Sequence, residues 1–187
     1  MHEHDKQNCE RWVGGILHVV GEDPTREGLK DTPRRYVKMM EEMTSGYRAD
    51  IPALFTVFKE EFNDQIILLK GIEFHSLCEH HLLPFSGTAH IAYIPGTKVV
   101  GVSKLARLLD AFAKRLQIQE RIGGQVIDAL EENLSPLGAA CIIKAKHSCM
   151  LCRGVGKQNS EMVTSAVSGV FRNDYKARAE LMSLINA

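Results

Sequence analysis

The chain has 187 residues, enough for one full hydrophobic core with a helical extension and too few for two large domains. Its 23 basic and 23 acidic residues cancel, so no net field recruits nucleic acid or an anionic membrane, and an anionic ligand has to be held by a local cluster of cations. Five cysteines, an odd number without regular spacing, do not resemble a disulfide scaffold, and with no apolar core of a signal peptide behind the polar start and no run of about eighteen apolar residues, a soluble cytoplasmic protein is expected.

Residues 7–20 place Trp12, Val13, Ile16, Leu17 and Val20 at helical spacing, with Gly21 as the stop. A turn at Gly21-Glu22-Asp23-Pro24 and a short helical piece over 25–29 lead to a second helix. Thr32 caps it, and Pro33 takes the first position, where a missing N–H does no harm. Its apolar stripe is Tyr36, Met39, Met40 and Met43, and it ends near Gly46. Residues 47–64 read as an irregular connection with one short strand, which divides the chain into a helical segment, 1–47, and a main domain, 48–187.

Strand character begins at 65–70 and leads into Cys78-Glu79-His80-His81. A second strand over 87–95 sets Ala89, Ile91 and Tyr93 against Thr88 and His90; His75 and His90 read as surface or satisfied core histidines. Ser103 caps an amphipathic helix with Leu105, Leu108, Leu109, Phe112 and Leu116 inward. Lys104 and Arg107, one turn apart at its start, are either a phosphate site or a solvated basic face. A further helix covers 119–134, where Gly123-Gly124 weakens the first turns by about 1 kcal/mol each relative to alanine. Glu120 at its opening either complements the dipole or accepts paired hydrogen bonds from a guanine. A strand over 139–149, the basic loop Arg153-Gly154-Val155-Gly156-Lys157, a strand over 162–171 and a helix over 174–185 complete the chain.

Two segments concentrate metal chemistry. Cys78-Glu79-His80-His81 and His147-Ser148-Cys149 supply two thiols and up to three imidazoles, the donors zinc prefers. With Cys78, His81 and Cys149 as ligands a fourth position stays open for water, which separates a catalytic zinc from a structural one, and His80 and His147 remain beside it to move protons. A closed site of Cys78, His81, Cys149 and Cys152 is the structural alternative. Alternation favours the open site: if 141, 143, 145, 147 and 149 face inward along one strand, Cys152 has the wrong parity, unless the chain turns at Met150 or Leu151.

Along nearly its whole length the chain resembles GTP cyclohydrolase I. The matching segments are Gly21-Glu22-Asp23-Pro24-Thr25-Arg26-Glu27-Gly28-Leu29 with Thr32-Pro33-Arg34-Arg35, then Cys78-Glu79-His80-His81, Ala92-Tyr93-Ile94-Pro95, Gly101-Val102-Ser103-Lys104, Gln119-Glu120-Arg121, His147-Ser148-Cys149-Met150, Arg153-Gly154-Val155 and Val163-Thr164-Ser165. The resemblance implies opening of the guanine imidazole ring of GTP, loss of C8 as formate and rearrangement to 7,8-dihydroneopterin triphosphate, the first step of folate and pterin synthesis. It implies Zn2+ on Cys78, His81 and Cys149, with His80 and His147 handling protons, His147 at the purine N7. It puts Gln119 and Glu120 on guanine, Ser103 near the ribose, and Lys104, Arg107 and Arg153 on the triphosphate, with no nucleic-acid or membrane partner.

The fold it implies is α+β, a small antiparallel four-stranded sheet with two helices inserted between strands two and three (the tunnelling fold), preceded here by the N-terminal helical segment. Subunits of that family join into a ring-shaped homodecamer with sites at interfaces. Leu116, Gly123-Gly124, Met162 and Cys152 depart from the family pattern, and none of them is assigned to chemistry. The alternative of a different class is a zinc-stabilised module that binds a nucleotide or nucleic acid through Lys104, Arg107 and Arg153 without turnover.

Overall fold

Two helices, α1 (Glu3–Val19) and α2 (Thr32–Met43), make up the first of two units, Met1–Ser45, in a computed structural model that describes residues 2–59 and 65–187. α1 starts before its apolar stripe because Glu3 and Asp5 suit the positive end of the helix dipole. It stops at the expected place, where Gly21 takes a φ of +88° that side-chain-bearing residues avoid. No residue of α1 is buried, and Trp12, Ile16 and Val19 stand exposed. Residues 25–29 form turns instead of a helical piece. Asp23 Oδ1 accepts from the Thr25 N–H and hydroxyl at 2.8 and 2.7 Å, an Asx turn that diverts the chain. Asp31, not Thr32, takes the cap position of α2, and Lys6 meets Glu41 at 3.0 Å between the two helices.

The second unit, Gly46–Ala187, holds the sheets. A 3-10 turn (Ser45–Arg48) and a one-turn helix, α3 (Ile51–Leu54), precede β1 (Val57–Lys59), which pairs antiparallel with β4 (Lys98–Val100). The rest of that connection, 60–64, lies outside the described residues. The main sheet has the order β5-β2-β3-β6-β7, with β2 (Ile67–Cys78), β3 (Pro84–Ile94), β5 (Leu116–Gln117), β6 (Gly138–His147) and β7 (Met162–Val167). Four of these, β2-β3-β6-β7, are the expected antiparallel neighbours, and α4 (Val102–Ala113) and α5 (Gln119–Leu134) lie between β3 and β6.

The sheet is nevertheless mixed and five-stranded. β5 adds parallel to the end of β2, Leu77 opposite Leu116 and Cys78 opposite Gln117, and two residues are too few to carry a periodic signal. Leu116 therefore belongs to β5 and not to the stripe of α4, whose cap is Gly101 and not Ser103. β6 ends at His147, where the chain turns into α6 (Ser148–Leu151), so the strand expected as far as 149 is two residues shorter. β7 likewise gives way to α7 (Gly169–Asn173) and then α8 (Tyr175–Asn186), whose cap Asp174 accepts from the Lys176 N–H at 2.8 Å.

Alternation decides what covers each face. Phe74, Ala89, Ile91, Tyr93, Cys141 and Ile143 pack with Leu105, Leu108, Leu109, Ile122, Val126 and Leu130 of α4 and α5. Ala92, Ile94, Ala140 and Ile142 pack with Phe171, Leu181 and Ile185 of the last two helices, so this end of the sheet is covered on both faces. Gly123 lets α5 lie close to β7, since a Cβ there would come within 3.3 Å of Ala166 Cβ. Among the described residues no helix is long and apolar enough to cross a membrane.

Candidate active site and metal centre

β2 delivers Cys78 to a tight connection into β3. The Cys78 N–H donates to Leu83 O at 2.9 Å, its carbonyl accepts from Leu82 N at 2.9 Å, and Leu82 takes a left-handed φ of +54° to close the turn. His80 and His81 are thereby exposed beside the buried Cys78. Cys78 Sγ lies 3.9 Å from His80 Nδ1 and 3.8 Å from His81 Nδ1. β3 separates this loop from the end of β6, and the turn into α6 brings Cys149 back over it.

Candidate ligand atoms of Cys78, His81 and Cys149 all lie within 4.8 Å of one another. Bonds of about 2.3 Å to sulfur and 2.0–2.1 Å to nitrogen space tetrahedral donors roughly 3.5–3.8 Å apart, so the donor set and its spacing fit zinc with little movement. Burial first, and the Cys78 thiol beside it second, push the Cys149 thiol above its ordinary range. A cation binding here therefore has to displace protons. Cys152 turns away: its Sγ donates to Ser148 O at 2.9 Å, and it is not part of the cluster. β6 ends at His147, so strand alternation does not extend to Cys149 and Cys152, yet Cys78, His81 and Cys149 still come together without Cys152.

His147 closes β6 opposite Phe85, which stacks on its ring at 4.3 Å between centroids and 7° between planes. Burial holds the imidazole below its ordinary range, and the Glu120 carboxylate opposes that shift. Its Nε2 lies 2.9 Å from Gln119 Oε1. Glu120 itself is exposed in the first turn of α5, whereas Gln119 is buried. Arg153 reaches the cluster from the following loop, with Nη1 3.4 Å from His81 Nε2.

Ser103, Lys104 and Arg107 are elsewhere. They occupy the first turns of α4, next to β4, whose Val100 N–H donates to Tyr93 Oη at 3.1 Å. Tyr93 is eight residues along β3 from Phe85, roughly 27 Å of strand. It is the opposite end of α4, about 18 Å away along the helix, that leads through β5 to Cys78.

Arg121, in the first turn of α5, grips Glu79 through both Nη atoms, at 2.6 and 3.2 Å, and holds that carboxyl below the ordinary carboxylate range. The Glu79 N–H also donates to Gln117 O at 3.0 Å. These ties between the ligand loop and α5, and the stacking by Phe85, were not assigned from the sequence. Opposite charges at Glu79 and Arg121 are a signal only once β5 has brought the segments together.

A family model described as GTP cyclohydrolase I matches residues 9–186. The chain belongs to that family. Two relatives named GTP cyclohydrolase 1 support the membership. The protein from Caldanaerobacter subterraneus subsp. tengcongensis is 48% identical over 98% of both chains, and that from Leptospira biflexa is 51% identical over 94% of this chain and 97% of its own. A solved structure titled as the archaeosine synthase QueF-Like in the apo form overlaps 58% of this chain and 97% of its own, at 18% identity and a TM-score of 0.47. As a member of the GTP cyclohydrolase I family this chain is an enzyme, a hydrolase.

Proposed function

We propose that the chain opens the guanine imidazole ring of GTP, releases C8 as formate and rearranges the remainder to 7,8-dihydroneopterin triphosphate, the entry step of folate and pterin synthesis. The observation that carries this is the convergence of Cys78, His81 and Cys149 within 4.8 Å, at the end of the sheet that also presents His80, His147 and Glu120. Zinc held by the three ligands supplies Lewis-acid activation of water near neutral pH.

The chain's own residues do the rest. His147 protonates the purine at N7 and so draws electron density from C8, a role that its part-buried ring, held flat against Phe85, supports. His80, exposed 3.9 Å from the Cys78 sulfur, is the second proton carrier. Glu120 offers two oxygens to the N1–H and exocyclic amine of guanine, a donor pair that adenine lacks. Arg153 stands where an anion beside the metal would meet it.

The placement of Ser103, Lys104 and Arg107 supports an oligomer. One copy holds Ser103 and Lys104 at the end of α4 far from its metal cluster, with Arg107 at mid-helix, so these ribose and triphosphate contacts come from a neighbouring copy while Arg153 comes from the copy that holds the cluster, as in the ring-shaped homodecamer of the family. The catalytic part is the main domain, 48–187, and the enzyme acts in the cytoplasm.

Incubating the zinc-loaded protein with GTP and assaying formate tests the reading directly. Turnover is expected, His147→Ala should abolish it with zinc retained, and Cys152→Ser should keep both metal and activity. Full activity in His147→Ala removes the proton donor. Loss of zinc in Cys152→Ser favours a closed structural site, and GTP binding without formate favours the non-catalytic module.

A further inference from the structure

Gln119 opens α5 with only 1% of its surface exposed. Its amide nitrogen lies 3.1 Å from each of Ile143 O, Met162 O and Thr164 Oγ1, so two hydrogens serve three acceptors and none is left for a ligand. Two of those acceptors are backbone carbonyls, which cannot donate. The amide therefore has one orientation, since turning it over would set its oxygen against two carbonyl oxygens. In that orientation Oε1 meets His147 Nε2 at 2.9 Å, and an amide oxygen only accepts. The hydrogen between them belongs to the imidazole. With Nε2 occupied and one face of the ring covered by Phe85, Nδ1 is the nitrogen left for a ligand.

We propose that Gln119 is a positioning residue acting through His147: its amide fixes the imidazole with a hydrogen on Nε2 and so makes Nδ1 the atom that exchanges a proton with the purine. This rests on His147 handling protons, and it moves Gln119 from base recognition, where the family resemblance puts it, to orientation of the acid. In the transfer the Nδ1–H bond of the imidazolium breaks and an N–H bond forms on the purine. The positive charge passes with the proton, and the neutral ring keeps its Nε2–H bond to Gln119. The hydrogen bond is thus the same before and after, and the ring has no reason to turn between half-reactions. Recognition of guanine falls to Glu120, exposed one residue on.

Solid-state 15N NMR of the zinc-loaded, histidine-labelled protein at about pH 8, above the ordinary imidazole range, reads the tautomer, with His147→Gln assigning the signal. A bare Nδ1 and a protonated Nε2 are expected, and Gln119→Met should mix the two forms. In steady state Gln119→Met should lower the rate of formate release by about 100-fold while the KM for GTP stays within about threefold. Gln119→Glu should recover part of the loss, since a neutral carboxyl both donates to a carbonyl and accepts from His147. A raised KM with unchanged kcat returns Gln119 to guanine binding. A hydrogen on Nδ1 of His147 in the unsubstituted protein overturns the proposal, even if Gln119→Met does not fold. The spectrum needs no turnover, so an absence of formate would sink the cyclohydrolase reading and leave the tautomer assignment separately decided.

Discussion

Neighbouring residues at the start of α5 divide two tasks by burial alone. Gln119 is spent inside the protein, while Glu120 faces outward and its charge still reaches His147. Glu120→Ala removes a charge-assisted acceptor pair, and the Kd for GTP is expected to rise by about 10- to 100-fold with zinc content unchanged, as calorimetry and metal analysis would read. An unaltered Kd would take Glu120 out of base recognition. Cys78, His81 and Cys149 were legible in the sequence because few side chains bind zinc and two short segments carry them. Phe85 and Arg121 were not, because an aromatic in a strand and an arginine on a helix have ordinary core and surface explanations. Only the pairing of Phe85 with His147, and of Arg121 with Glu79, gives them a part.

At the scale of elements, the long amphipathic helices were readable and the short irregular ones were not. The bounds of α5, Gln119–Leu134, agree with its periodicity, since its stripe is long and one-sided. α6 is a single turn and β5 two residues, below the length at which any period can be counted, yet they set Cys149 and Cys78 in place. The burial of Ala92, Ile94, Ala140 and Ile142 was hidden for another reason: their cover, α7 and α8, comes later in the chain.

Close approach of β3 to β6 is a further constraint on the site. A Cβ on Gly87 would overlap the Lys144 carbonyl on β6, two residues from Phe85. Gly87→Ala should therefore destabilise the fold by about 2–3 kcal/mol, measured by urea unfolding, and disturb the Phe85–His147 stack. A variant as stable as its parent would mean that these strands separate freely.

For the whole molecule the consequence lies in the distance between the two ends of α4. If each site takes α4 from one copy and α5 from another, Lys104→Ala and Glu120→Ala proteins, each nearly inactive, should complement. After subunit exchange in an equal mixture, about a quarter of the sites would hold both intact residues. Formate release from the mixture checks this. A mixture as inactive as its parents would mean that each chain builds its site alone.

The Glu79–Arg121 clamp carries one more implication. The turn of α5 that carries Glu120 also tethers the residue next to Cys78, so if Glu120 takes the base and Cys78 the ion, as proposed, nucleotide and cation press on one piece of backbone. Whatever GTP does to the grip on the ion, the ion must do to the grip on GTP by an equal factor, because linked equilibria share a single coupling free energy.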